Sequence, residues 1–371
     1  MKITTTVEAF VAALKASVCE KKTATIPILN YVKVAGTQII GTDLDLFTII
    51  PFKGKATGKG EFTISPKQAI AVLAGEKGAL VIEYKAPKKP AKDEVQEQPM
   101  ATLTIEGTVF NLPTMNVNNF PLIPDVPEPA FSMDGDAFSL LLKRTRFAIS
   151  NIESRYTLNG ALLETARDTV RMVGTDGHRL SLAEVIVEGV PYASDKAVRT
   201  VVGVGALDWL KTRVNGSISI AVTATHQAFV TGGNVLIARK LSGTFPNYEA
   251  IMPNKVEITT QVPSASKLAA TLARVAKCAD ERSGCVRLTL GPESTLHAES
   301  YDRGSATAKL ELDVEGGPIT IGLNSGYLLD FFKVAGDVPV NISLSNPQSA
   351  GMLSTEPSDS TFRYVVMPMR L

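Results

Sequence analysis

The sequence has little cysteine, histidine or aromatic residue, almost no net charge and no long apolar run, and each shortage excludes something. Its three cysteines, Cys19, Cys278 and Cys285, match neither a disulfide framework nor paired zinc-ligand spacing. They read as reduced thiols of a cytoplasmic protein. Three histidines, His178, His226 and His297, leave little material for metal or acid–base chemistry. No stretch of 18 apolar residues exists, so no membrane span is expected. The apolar patch at 10–14 is closed by Lys15 and is too short for a secretory signal core. Nucleotide-binding loops are missing as well. Residues 54–60 have the wrong spacing for a Walker A loop, and Asp208 stands where a dinucleotide fingerprint starting at Gly203-Val204-Gly205 needs its third glycine. There is no Gly-x-Ser-x-Gly and no His-Glu-x-x-His. With 38 basic and 37 acidic residues the net charge is +1, so any nucleic-acid role must come from uneven placement of charge.

What is present is an ordinary globular composition, 44% apolar and 20% charged, over 371 residues. At about 100–200 residues per domain, that length predicts two to four domains. The chain repeats itself. One segment runs from Val32 through Gly36-Thr37 to Gly41-Thr42-Asp43. A second runs from Leu163 through Arg167-Asp168 to Gly174-Thr175-Asp176, and a third from Leu288 through Gly291-Pro292 to Ser300-Tyr301-Asp302. Each reads as strand, tight turn, strand, with closing aspartates 133 and 126 residues apart. A second marker recurs in the same order, a β-rich run feeding a helix at 68–73, 206–211 and 327–332. A third, Phe120-Pro121-Leu122-Ile123, returns as Phe245-Pro246-Asn247-Tyr248. With opening helices at 7–19, 136–147 and 264–277, the pattern predicts an α+β fold of three similar domains, 1–127, 128–254 and 255–371. Each domain has two helices and antiparallel strands. The stretch 100–112 reads as alternating strand, with Leu103 and Ile105 on one face and Thr102, Thr104 and Glu106 on the other.

Charge is placed unevenly. Six helical segments (7–22, 66–77, 136–147, 204–213, 263–277 and 323–334) carry +8 together, leaving −7 on the rest. If these helices lined one surface, it would attract a polyanion; lysines and arginines that simply favour helix C-termini are the competing explanation. The polar segment 85–98 reads as a solvated extension, with a basic tether as the alternative. The last residues, 364–371, stay apolar to the end and contain Pro368 between two methionines. They are expected to be docked, as a binding surface or a final edge strand. Asp176-Gly177-His178 admits two readings, a metal or acid–base pair, or an aspartate satisfying turn amides.

Four motifs in order, Arg155-Tyr156-Thr157-Leu158-Asn159-Gly160, Gly174-Thr175-Asp176-Gly177-His178-Arg179-Leu180, Phe245-Pro246-Asn247-Tyr248 and the ending 364–371, resemble the bacterial DNA polymerase III beta subunits, the beta sliding clamps. The resemblance covers the whole chain. It implies a chain that forms half of a closed ring. Two copies meet head to tail as a homodimer, helices face encircled double-stranded DNA without reading its sequence, and sheets form the shell. It implies no catalysis, no cofactor and no metal.

The resemblance also implies a groove for short linear motifs of partner proteins: the replicative polymerase, the clamp loader, and repair and translesion polymerases. Carried over by residue, the groove comprises Leu158, Thr175, Gly177, His178, Arg179, Leu180, Pro246, Ile251, Tyr327, Val365, Val366, Met367, Pro368, Met369 and Arg370. Arg179 and Arg370 are expected to frame the peptide's polar groups, and Tyr327 to gate the pocket. The family often has arginines after the Phe-Pro motif; here Glu249 and Ala250 follow, so the rim is less basic. DNA contacts carry over to Lys21, Lys22, Arg155 and Tyr156, and the dimer contact to Phe110 and Leu112 meeting Lys277 and Cys278. Two rivals remain at this point, an enzyme using Asp176 and His178 at a metal, and a scaffold that binds peptides but not DNA.

Overall fold

Short local signals set the helix starts. The computed structural model describes residues 1–17, 25–86, 99–150, 152, 156–191, 197–355 and 360–371. Helix α1 (Val7–Ala16) begins behind Thr6, whose Oγ1 accepts the Ala9 N–H at 3.2 Å. Helix α2 (Pro66–Val72) has proline at its first position, where the missing N–H costs nothing. Asp134 caps α3 (Gly135–Thr145) through the Ala137 N–H at 2.9 Å, while α4 (Val204–Leu210) starts behind Gly203 with no side-chain cap. Ser264 caps α5 (Ala265–Val275), and Asn324 caps α6 (Ser325–Ala335) through the Tyr327 N–H at 3.0 Å. Such a cap contributes about 1 kcal/mol.

Three expected helices run too long, and the other three, at 68–73, 206–211 and 327–332, start too late. The first stops at Ala16, where Ser17 Oγ turns back to the Leu14 carbonyl at 2.7 Å. The helices expected over 136–147 and 264–277 end at Thr145 and Val275 and pass into 3-10 turns, Arg146–Ala148 and Ala276–Cys278. The one expected over 327–332 runs from Ser325 to Ala335, because Asn324 starts it early and Gly336, at φ 78°, ends it late. The stretch 100–112 is not one strand but a hairpin of Met100–Ile105 and Thr108–Pro113. Glu106 and Gly107 both take positive φ (45° and 85°) in its two-residue turn, so Glu106 lies in the turn and not on a strand face.

The chain divides into two compact units, residues 1–132 with 213–239, and residues 133–212 with 240–371. In the first, α1 and α2 accompany two sheets. One has the order Gly54–Thr57, Lys2–Thr6, Ala79–Tyr84, Met100–Ile105, Thr108–Pro113. The other runs Glu61–Ile64, Val32–Ala35, Gln38–Thr42, Leu46–Pro51, Asn234–Arg239, His226–Thr231, Ser217–Val222, Phe131–Asp134. In the second unit, α3 to α6 accompany a nine-stranded sheet: Arg199–Gly203, Gly160–Ala166, Thr169–Thr175, Arg179–Ile186, Ser360–Val366, Gly351–Thr355, Val340–Leu344, Ile258–Val262, Val314–Glu315. A four-stranded sheet follows the order Gly304–Leu310, Ser294–Ser300, Cys285–Leu290, Ile319–Asn324. Every pairing among these is antiparallel. The three repeated segments are the hairpins joining Val32–Ala35 to Gln38–Thr42, Gly160–Ala166 to Thr169–Thr175, and Cys285–Leu290 to Ser294–Ser300.

Helices in the second unit bury one face each. Leu272 and Val275 of α5 and Leu328, Phe331 and Phe332 of α6 enter one core with Leu353, Phe362, Tyr364 and Val366. Phe331 stacks on Tyr364 at 5.2 Å and tilts against Phe362 at 4.9 Å, each ring pair adding about 0.5–1.5 kcal/mol beyond area burial. Lys267, Arg274 and, just past the helix end, Lys277 stay on the exposed side.

Candidate functional site

The site is built where strand Arg179–Ile186 lies between Thr169–Thr175 and Ser360–Val366, with Leu180 opposite Val365 and Arg179 opposite Val366. Successive side chains of a strand alternate faces. Val365 joins an apolar cluster with Leu162, Val173, Leu180, Leu182, Phe245 and Tyr248. Val366 faces the other way, into the helix-side core, and is fully buried. The expectation that Val366 lines the groove is therefore corrected.

The turn before this strand is rigidly specified. Asp176 Oδ1 accepts the N–H groups of His178 and Arg179 at 2.9 and 3.1 Å. Thr175 Oγ1 donates to the Arg179 carbonyl at 2.6 Å and accepts the Gly177 N–H at 3.1 Å. Gly177 sits at φ 92°, a conformation that favours glycine. Asp176 thus satisfies turn amides. Among the described residues no group of three or more His, Cys, Asp or Glu side chains is placed to hold a metal ion.

Residues 245–252 cover the apolar cluster. Phe245 and Tyr248 are buried in it, Met252 packs at its edge, and Pro246 is half-buried. The Tyr248 hydroxyl donates to Glu164 and accepts from Arg171 Nη1 at 2.7 Å. Arg199, Glu164, Arg171 and Glu184 stand directly opposite one another on four neighbouring strands, a row of alternating charge. Arg199 pairs with Glu164, and Arg171 reaches Glu164 at 3.1 Å and Glu184 at 2.6 Å. Burial pushes the Tyr248 phenol up to about 12.

The C-terminal segment is docked by its backbone. The Met367 N–H donates to the His178 carbonyl at 2.9 Å, Pro368 has no N–H to offer, and the Met369 N–H donates to the Gly322 carbonyl at 2.8 Å. Gly322 permits this approach, since a Cβ there would lie 2.8 Å from both the Met369 carbonyl oxygen and Leu371 Cδ2. A depression of about 520 Å³ opens beside Ile251, Met252, Asn346, Ala350 and Met367. Another of about 630 Å³ opens beside Gly322, Pro347, Pro368, Met369 and Arg370. Gln348 borders both. Gly177, His178, Ile251, Met367 and Arg370 are exposed around them, and Leu158 is half-buried in the 3-10 turn Tyr156–Leu158.

The Arg179 side chain is largely buried. Its guanidinium faces inward, donating to Asp176, Asp330 and the Phe147 carbonyl, and lies over the Tyr327 ring at 4.4 Å. Of the expected DNA-contacting residues, Lys21, Lys22 and Arg155 lie outside the described residues, as do Cys19 and most of the 85–98 extension; Tyr156 opens its 3-10 turn. Of the expected dimer residues, Leu112 is 8% exposed, whereas Val109, on the other face of the same strand, is 54% exposed. Lys277 and Cys278 sit in the turn beside strands Ser294–Ser300 and Gly304–Leu310. Sequence reasoning missed Met252, Gln348, Ala350 and Asp330. None belongs to a motif, and only the folded chain brings them to the site.

Comparison with known proteins gives the site its context. Residues 132–247 match the family model for the DNA polymerase III beta subunit, central domain, and residues 249–370 match that for its C-terminal domain. The two together cover well over half of the chain. It belongs to the DNA polymerase III beta subunit family. The beta sliding clamp of Pseudomonas putida is 29% identical over 368 residues, spanning 96% of either chain. The crystal structure of the DNA polymerase III subunit beta from Pseudomonas aeruginosa superposes with a TM-score of 0.87 at 27% identity, covering 100% of both chains. The Bacillus subtilis sliding clamp, at 21% identity and a TM-score of 0.89 over 100% and 99% of the two chains, shares the fold. The chain therefore has the sliding-clamp fold, and the candidate site draws on both matched beta-subunit domains, strand Arg179–Ile186 from one and Ser360–Val366 from the other. No helix among the described residues is long and apolar enough to cross a membrane.

Proposed function

We propose that the protein is the processivity clamp of a replicative DNA polymerase, a non-catalytic, cytoplasmic ring that needs no cofactor. Two copies close head to tail around double-stranded DNA, each built from three domains at 1–127, 128–254 and 255–371. The polymerase, the clamp loader and repair and translesion polymerases dock short linear motifs in the groove bounded by Leu180, Met367 and their neighbours. The observation that carries this reading is the groove itself. It has an apolar floor, an exposed glycine-containing turn and a backbone-anchored C-terminal segment with two adjoining depressions, in a chain of beta-subunit family and fold. Apolar anchors of an extended peptide suit such pockets.

Ring closure is supported by two sheet edges, Thr108–Pro113 in one unit and Gly304–Leu310 in the other, each pairing on one side only among the described residues. An unpaired edge is a template for a second chain. DNA encirclement is supported by the +8 carried on the helical segments. Contacts to phosphates without base readout hold a duplex yet let it slide. The decisive experiment loads the protein on nicked circular DNA. It is expected to be retained there, to run off once the circle is linearised, and to have a solution mass near twice 39.6 kDa. Equal loss from circular and linear DNA overturns the reading.

A further inference from the structure

Arg179 stands at the root of the 176–178 turn, and each nitrogen of its guanidinium already donates to a neighbouring part of the protein. The side chain is 11% exposed. Nε donates to Asp176 Oδ2 at 2.9 Å, Nη1 to Asp330 Oδ2 at 2.6 Å and Nη2 to the Phe147 carbonyl at 2.8 Å. The guanidinium carbon lies 4.4 Å from the Tyr327 ring centre and 5.7 Å from that of Phe147. These partners belong to separate pieces of the fold, namely the turn, the 3-10 segment after α3, and α6. The chain of contacts continues, since the Tyr364 hydroxyl donates to the Tyr327 carbonyl at 3.0 Å and Tyr364 precedes the docked C-terminal segment.

A planar guanidinium held by two carboxylates and a carbonyl is fixed in position. At 11% exposure, with all three of its nitrogens already donating inward, the side chain would have to leave this network to reach a peptide carboxylate. We infer that Arg179 is a positioning residue of the groove and not a ligand of the peptide, and that Asp330 is the partner through which it holds α6 and Tyr327 against the 176–178 turn. The inference rests on the groove reading above. Asp330 is 48% exposed, so its replacement opens no core cavity.

The test uses the full chain and a fluorescein-labelled hexapeptide with Leu and Phe anchors and one Asp, followed by fluorescence anisotropy. Asp330→Asn is expected to weaken binding roughly three- to tenfold, the size of coupling that packed networks carry. Arg179→Lys is expected to weaken it at least as much. The double variant should bind no worse than Arg179→Lys alone, because both changes break one network. Changing the peptide's Asp to Asn should alter affinity by the same factor in the parent chain and in all three variants. The inference is overturned if Asp330→Asn binds like the parent, or if the peptide's Asp matters in the parent and ceases to matter with Arg179→Lys. A parent chain that does not bind the probe at all removes the groove reading itself, a different outcome from binding that ignores Asp330.

Discussion

The long sheet of the first unit and the nine-stranded sheet of the second share one strand plan but are covered differently. Leu46–Pro51 lies between Gln38–Thr42 and Asn234–Arg239 just as Arg179–Ile186 lies between Thr169–Thr175 and Ser360–Val366. Phe47 faces Ile237 where Leu180 faces Val365. Even the turn is copied. Asp43 Oδ1 accepts the N–H groups of Asp45 and Leu46 at 3.1 and 2.7 Å, and Thr42 Oγ1 accepts that of Leu44 at 2.9 Å. The differences are in the coverings. Leu44, at φ 76°, replaces Gly177. Ile123, which packs on the apolar clusters around Phe120 and Phe47, stands where Tyr248 anchors its hydroxyl on the charge row. No counterpart of the segment 367–371 follows Arg239 within the first unit. A repeated backbone therefore supplies the frame, and local differences in what covers it set the two units apart.

The largest test of this contrast removes 367–371. Peptide affinity is expected to fall about 30-fold or more, the loss of a hot spot worth over 2 kcal/mol, while circular dichroism and the melting of the first unit stay unchanged. The cut must begin at Met367, because Tyr364, Val365 and Val366 are core residues whose loss would unfold the unit. Next comes Tyr248→Phe, which leaves Glu164 and Arg171 without the hydroxyl between them and is expected to cost about 1–3 kcal/mol in urea unfolding. Its pH dependence has a definite sign. Burial raises the Tyr248 phenol from 10.0 to about 12, so the stability held by the neutral hydroxyl is complete below pH 10 and is lost as pH rises through about 12. The parent should therefore decline more steeply than the variant in that window, and equal slopes would contradict the assignment. The smallest effect is expected from Leu44→Gly. Relief of a left-handed leucine, about 1–2 kcal/mol, is largely offset by the flexibility glycine gains in the unfolded chain. A net rise under about 1 kcal/mol in the first unit is expected; a clear loss would mean the leucine side chain is needed there.

What the sequence made legible was local. The three hairpins, the Pro66 start and the docked ending follow from spacing, turn residues and composition, which act over a few neighbours. The helix ends were misplaced because an Asn324 cap or a 3-10 continuation shifts a boundary without changing the apolar period. At the site, strand alternation alone separates Val365 from Val366, but only once the strand's register is known. The inward turn of Arg179 depends on Asp330, 151 residues away in the chain, and no pattern in the sequence points to that pair.

The Met367–Pro368–Met369 run is tacked down through main-chain N–H groups on either side of a proline that needs none. Part of its hold on the protein is thus independent of which side chains it displays. Substitutions at those methionines would change the surface the run displays while leaving both of its backbone moorings in place.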